Sequence, residues 1–210
     1  MGESSTYLYT EGASNITNNL NVLMNGSNSN GFVILGGYLT NNGNINGSSG
    51  IGNTGVYIEN GTVLNSGNIT LGDSFIIFNA DGTVNTSASN YSVGIYGIDS
   101  QITNIAGANI TVGKSGVGIY SESSETNASY QPAVINNGNI KSASDGTFGM
   151  YTINSNTINN GLIELTGNDS IGIAVQNSRV TNNGTIIMRG DNSAGIQALS
   201  GSVIDNNGSI

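Results

Sequence analysis

Apolar side chains alternate with polar or small ones along most of this chain. In GIAVQNSRVTNNGTIIMRGDNSA, from Gly172 to Ala194, Ile173 and Val175 alternate with small or polar neighbours, as do Val180, Asn182, Gly184, Ile186 and Met188. A period of two turns one side chain in and the next out, which predicts strand. The alternation breaks at QNS and GDNS, residues that favour turns. Helical spacing is not sustained anywhere, so no helix is expected. Each such unit offers two or three short strands separated by tight corners.

The unit recurs. An asparagine returns at Asn18, Asn41, Asn65, Asn104, Asn136, Asn159, Asn182 and Asn206, at intervals of 23, 24, 39, 32, 23, 23 and 24 residues, mostly within N-x-G-x-I. A small residue and an aliphatic one precede most of these, as in Gly55-Val56, Gly94-Ile95, Gly118-Ile119, Gly149-Met150, Gly172-Ile173 and Gly195-Ile196, with Gly31-Phe32 earlier. A period in the low twenties marks a stacked solenoid. The reading is an all-β parallel β-helix of about eight coils of 23–24 residues, two of them lengthened, spanning 1–210 as one solenoid. At roughly 4.8 Å per coil the rod is about 38 Å long.

The alternation places the asparagine column inside, in phase with the aliphatics. A buried amide costs a few kcal/mol unless it is hydrogen-bonded. Stacked on identical amides, each side chain can donate to the next coil and accept from the one before, forming a ladder. The glycine that follows (Gly43, Gly67, Gly138, Gly161, Gly184, Gly208) points to a positive φ or a crowded backbone. Leu20 and Ala106 replace it in two copies. Two extra residues between Asn104 and Ile110 read as a bulge.

Composition fits strands rather than helices. Gly occurs 32 times, Pro once, and charged residues make up 8%. Val, Ile, Thr and Tyr supply the ordered segments. Aromatic content of 6% limits a compact core,, but a solenoid needs only a few inward aliphatics per coil. The net charge is −9, and the four bases Lys114, Lys141, Arg179 and Arg189 do not cluster. Nucleic-acid or anionic-membrane binding needs a cationic surface, so neither is expected. Without Cys or His there are no disulfides, no thiolate metal sites and no neutral-pH imidazole base,.

No stretch approaches the ~20 apolar residues of a membrane-spanning helix. MGESSTYL at the start lacks the features of a signal peptide,. The sequence stops at Ile210 within a repeat and has no polar cap. The expectation is a fragment of a longer chain, monomeric, with its export signal and anchor elsewhere.

GDNSAGI at Gly190 to Ile196, GNDSIGI at Gly167 to Ile173, and the NNGNI and NNGTI copies resemble the β-helical passenger domains of Gram-negative autotransporters, the type V secretion family. The resemblance covers nearly the whole chain. It implies a right-handed parallel β-helix, export through a C-terminal outer-membrane barrel, and a place at the bacterial cell surface or in the secreted fraction. Members often act as adhesins or other virulence factors. A minority carry protease or esterase domains, of which none is visible here. The family has no shared catalytic residues to carry over.

Candidate contacts lie in two lengthened coils and along one tyrosine column. Insertions near 73–93 and 121–133 lengthen two coils, and such insertions map to one face, often a binding face. The first contains Phe75, Ile76, Ile77 and Phe78. It reads as a contact patch for a host protein or glycan, or as a hairpin turned at Asn79 to Gly82 that packs onto the flank. The second holds Glu122, Glu125, Tyr130 and Pro132, a contact loop or a solvated one. Tyr57, Tyr96, Tyr120 and Tyr151 share a place two residues after the marker glycine, matched by Tyr9 in the first coil. By phase they point outward. They can stack on sugar rings or anchor a partner, or form an aromatic ladder that only stabilises the sheet. A slip of one residue would make them core.

Asp73, Asp145, Asp169 and Asp191 recur at one corner, with Lys114 there in another copy. Pectate-lyase or polygalacturonase chemistry needs two or three acids converging, with a base for the acidic sugar. One acid per coil is ordinary turn chemistry. The sequence therefore points to no catalytic residue, no metal site and no cofactor. The function expected is a structural stalk or adhesin presenting binding loops to host or neighbouring cells, with a host-cell protein or glycan as partner. A polysaccharide-active enzyme and a non-catalytic glycan-binding β-helix are the alternatives. Ice binding wants a flat threonine array, which these coils lack.

Overall fold

A computed structural model describes residues 1–124 and 133–210. Glu125, Tyr130 and Pro132 of the second insertion lie outside the described residues. Among the described residues none is helical, and the strands stack in parallel on three faces of a solenoid.

The first face carries Thr6–Glu11, Val93–Ile98, Val117–Glu122, Phe148–Ile153, Ile171–Gln176 and Ala194–Leu199. The second carries Asn15–Asn18, Gln101–Asn104, Ala133–Asn136, Asn156–Asn159, Arg179–Asn182 and Val203–Asn206. Two longer strands, Asn30–Asn41 and Thr54–Asn65, run through the corner and belong to both faces, joining them into one 14-stranded sheet. The third face is a separate 7-stranded sheet that includes Ile45–Gly47, Ile69–Leu71, Asn109–Thr111, Asn139–Ser142, Leu162–Leu165 and Thr185–Met188.

Period two becomes columns of like residues. Val56, Ile95, Ile119, Met150 and Ile173 pair down the first face. Ile45, Ile69, Ile110, Ile140, Ile163 and Ile186 pair down the third. All of these are 0–1% exposed. Full burial of one such side chain contributes roughly 1.5–3 kcal/mol, so each coil shares a small apolar core with the coils above and below.

The asparagine column is a ladder. Nδ2 of Asn18 donates to Oδ1 of Asn41 at 2.7 Å, and the same bond repeats from Asn41 to Asn65 at 2.8 Å and from Asn65 to Asn104 at 2.9 Å. It continues to Asn136 at 2.9 Å, then to Asn159, Asn182 and Asn206 at 2.8 Å each. The second proton of Nδ2 also finds its own corner carbonyl, as from Asn41 to Gly43 O at 2.9 Å and from Asn65 to Gly67 O at 3.0 Å. Asn41, Asn65, Asn104, Asn136, Asn159 and Asn182 are fully buried. Their burial costs little because each amide is bonded on both sides.

The neighbouring glycines serve close approach, since they are absent from the positive-φ residues. A Cβ on Gly161 would lie 2.0 Å from the Gly138 carbonyl oxygen. Leu20 is tolerated in the first coil, where its side chain is 65% exposed. The extra residues after Asn104 form a turn, with Ala108 N–H donating to Ile105 O at 3.0 Å, rather than a bulge within a strand. The corner takes them up, and register is kept on both flanking faces.

Left-handed backbone turns the other two corners. Asn60, Asp99, Asn154 and Asn177 occupy it between the first and second faces, and Asn28, Ser115, Asp169 and Asn192 between the third and first. Asn and Asp tolerate this region better than other side chains, which accounts for their recurrence in the polar breaks.

One inward column has a defect. Ile58, Gly97, Ser121, Thr152 and Val175 are aligned in successive coils. Thr152 bonds Thr157 through their hydroxyls at 2.6 Å, but Ser121 Oγ is buried without a hydrogen-bond partner. An orphaned buried hydroxyl costs about 1–3 kcal/mol. Ser121→Ala is therefore expected to stabilise the chain by about 1 kcal/mol, seen as a raised urea midpoint. A midpoint lowered by the substitution would contradict this account of the column.

Candidate functional site

The tyrosine row lies where the two-residue period puts it, outside the core and half-buried. Tyr57, Tyr96, Tyr120 and Tyr151 pair in register, flanked by Val33 on one side and Ala174 on the other. Val33 separates the row from Tyr9. Successive rings meet edge to face, at centroid distances of 5.3, 4.7 and 5.5 Å, and Phe148 stacks on Tyr151 at 5.6 Å. This is the favoured geometry for the ring quadrupoles, so the row stabilises the sheet whatever else it does.

Carboxylates sit beside the hydroxyls. Tyr57 Oη donates to Glu59 at 3.2 Å and Tyr120 Oη to Glu122 at 2.9 Å. Ile98 lies between these two acids in the stack, which spaces the like charges. Burial, the charge of Glu59 and the bond to it push Tyr57 up to about 12 from 10.0. Tyr120 is raised by burial and then by its bond to Glu122, and Tyr96 by burial and the Glu122 charge.

These shifts have a consequence at alkaline pH. The folded chain holds the phenolic proton more tightly than the unfolded chain does. The resulting stabilisation is complete below pH 10 and disappears as the pH rises toward about 12,. The urea midpoint is expected to fall over that window, and less steeply in Tyr57→Phe. Identical slopes for the two proteins would refute the assignment to Tyr57.

The first insertion folds back as a hairpin. Phe75 bridges Asn90 and Phe78 bridges Val84, both antiparallel. Asn79 N–H donates to Thr83 O at 2.8 Å and Gly82 N–H to Asn79 O at 3.0 Å. Asp81 accepts from the Thr83 hydroxyl at 2.6 Å and from its N–H at 3.0 Å, which holds the Asp81 carboxyl below its usual range. Phe75 and Phe78 remain 52% and 62% exposed, so the hairpin does not bury its apolar run completely against the flank.

Between hairpin and tyrosine row runs a groove of about 710 Å³. Phe78, Val84 and Tyr91 line one wall, and Tyr96, Tyr120 and Tyr151 the other. Tyr57 and Phe75 are not on its lining. Phe148 is, and sequence reasoning passed over it although it stands three residues before Tyr151. Val84 and Tyr91, on the returning leg of the hairpin, were missed as well. A second recess of about 650 Å³ is mixed in polarity and includes Tyr38, Asn60, Thr62, Asp99 and Gln101. Its signal was the outward phase of Tyr38 in a long strand.

The corner acids do not converge. Asp73 accepts from Lys114 N–H and Asp145 from Asn168 N–H, both at 2.8 Å, each reaching the backbone of another coil. Asp169 turns the corner with a φ of 54°. Among the described residues no group of three or more His, Cys, Asp or Glu is placed to hold a metal ion. No helix among them is long and apolar enough to cross a membrane.

A family model described as the BigA third pectate lyase-like domain matches residues 47–177, well over half the chain. That span includes the hairpin and the whole row from Tyr57 to Tyr151. Neither a curated protein nor a solved structure matches.

Proposed function

The chain belongs to the BigA third pectate lyase-like domain family, and from that premise we propose that it is a non-catalytic display segment of a bacterial surface protein, a stalk that carries an adhesive flank. The observation that carries the reading is the unbroken asparagine ladder, from Asn18 to Asn206. Coils tied together through their interiors suit a rod that must hold its shape outside the cell. The hairpin adds the adhesive element, since Phe75 and Phe78 stay exposed and so are open to contact by a host-cell or neighbouring-cell partner. The acids Asp73 and Asp145 are engaged by turn backbone, which supports binding over pectate-lyase-like cleavage. The finer reading, a type V passenger, rests on the repeats GNDSIGI and GDNSAGI. A C-terminal β-barrel encoded in the parent gene is its expected companion.

An antibody against the chain is expected to label intact bacteria carrying the parent protein. Phe75→Ser with Phe78→Ser should lower their attachment severalfold while labelling stays unchanged, and the chain should leave polygalacturonate uncut with calcium present. Labelling that requires permeabilised cells would refute display. Unchanged attachment would refute the adhesive flank, and cleavage would refute the non-catalytic reading.

A further inference from the structure

The groove between the hairpin and the tyrosine row has the chemistry of a small-molecule site. Its volume of about 710 Å³ lies within the range of ligand pockets, roughly 300–1,000 Å³. Two independent elements build it, the insertion and the first face, and the insertion is what gives it depth. Its lining offers few polar groups, chiefly the hydroxyls of Thr86, Ser115, Tyr91 and Tyr151, because the Tyr120 hydroxyl is already given to Glu122 and the Tyr96 hydroxyl is directed to the same carboxylate. A peptide backbone or a saccharide brings a polar group on almost every unit. Seated here, many of those groups would lose water without gaining a partner. A flat ring system with few polar atoms avoids that cost and meets the faces and edges of the aromatic walls.

Charge narrows the class further. None of Lys114, Lys141, Arg179 and Arg189 is on the lining, although exposed Lys114 precedes lining Ser115. The carboxylate of Glu122 lies within hydrogen-bond distance of a lining tyrosine, and Glu59 continues the acidic edge beside Tyr57. An anion would face these carboxylates, whereas a cation is drawn to them and to the ring faces.

We propose that this groove binds a planar, weakly polar aromatic molecule, uncharged or cationic. The inference rests on the reading that this flank makes the chain's contacts, and its test is a solution measurement that does not involve cells. The full chain is titrated with Nile red, a neutral planar dye, and separately with anilinonaphthalene sulfonate, an anionic one. Nile red is expected to bind at one site with a saturable rise in fluorescence, and the anionic dye at least tenfold more weakly. Phe78→Ser, at an exposed position, should weaken Nile red at least tenfold with the far-ultraviolet circular dichroism unchanged. Tyr38→Ser, in the other recess, should leave it unaltered. If Nile red fails to saturate, if Phe78→Ser binds as the parent does, or if the anionic dye binds equally well, the proposal falls. Failure here with attachment still dependent on Phe75 and Phe78 removes the ligand class and leaves the adhesive flank standing. Dye binding with attachment unchanged does the reverse.

Discussion

Asn136→Ala is expected to destabilise the chain by about 3–5 kcal/mol, from two orphaned buried groups at about 1–3 kcal/mol each with a small cavity added. Asn136 accepts from Asn104 at 2.9 Å and donates to Asn159 at 2.8 Å. Its loss leaves a donor on one side and an acceptor on the other, both where water does not reach. The same change at Asn206 removes one bond, the one from Asn182 at 2.8 Å. Asn206 itself is exposed, so the cost there should be about 1 kcal/mol. Urea unfolding of the two variants checks the difference. Equal losses at Asn136 and Asn206 would mean that the amides are held by their own turns and not by one another.

Gly161→Ala is expected to cost about 3 kcal/mol or more, at the upper end for an overpacked core. The added methyl would stand 2.0 Å from the Gly138 carbonyl oxygen, and Gly184 in the next coil has the same relation to Gly161 at 2.1 Å. The obstacle is the backbone of Asn137 and Gly138 in the preceding coil and not a flexible side chain, so relief requires the coils to part. Parting them lengthens the neighbouring asparagine bonds. Gly2→Ala is the control, because its nearest neighbour would be 3.8 Å away, and no change is expected. A comparable urea midpoint for all three proteins would show that the corner is loose.

The stacked architecture was legible because one residue type recurs with one job. An amide that returns at a fixed interval, in phase with aliphatics, must be buried once per coil, and only an identical amide in the next coil is always there to bond it. The bonds from Asn41 to Asn182 follow the direction that stacking requires. The left-handed corner columns were much less visible. Asn28, Ser115, Asp169 and Asn192 share one backbone conformation through three residue types, so the requirement leaves no single-letter mark. The glycines after the asparagines suit either a close approach or a positive φ, and only the backbone dihedral, with the distance to the neighbouring coil, separates the two. The groove was the least legible feature. Its walls come from Phe78, Val84 and Tyr91 on one side and Tyr120 and Tyr151 on the other, and no periodicity states how far a hairpin folds over the face beside it.

The most direct measurement is hydrogen exchange of the asparagine side-chain amides by nuclear magnetic resonance. The account predicts that the Nδ2 protons of Asn41, Asn65, Asn104, Asn136, Asn159 and Asn182 exchange as slowly as core backbone amides, while those of the exposed Asn19 and Asn44 exchange quickly. If the buried set exchanges at the rate of the exposed pair, the amides are not bonded through the interior of the rod, and the stack is held together by something else.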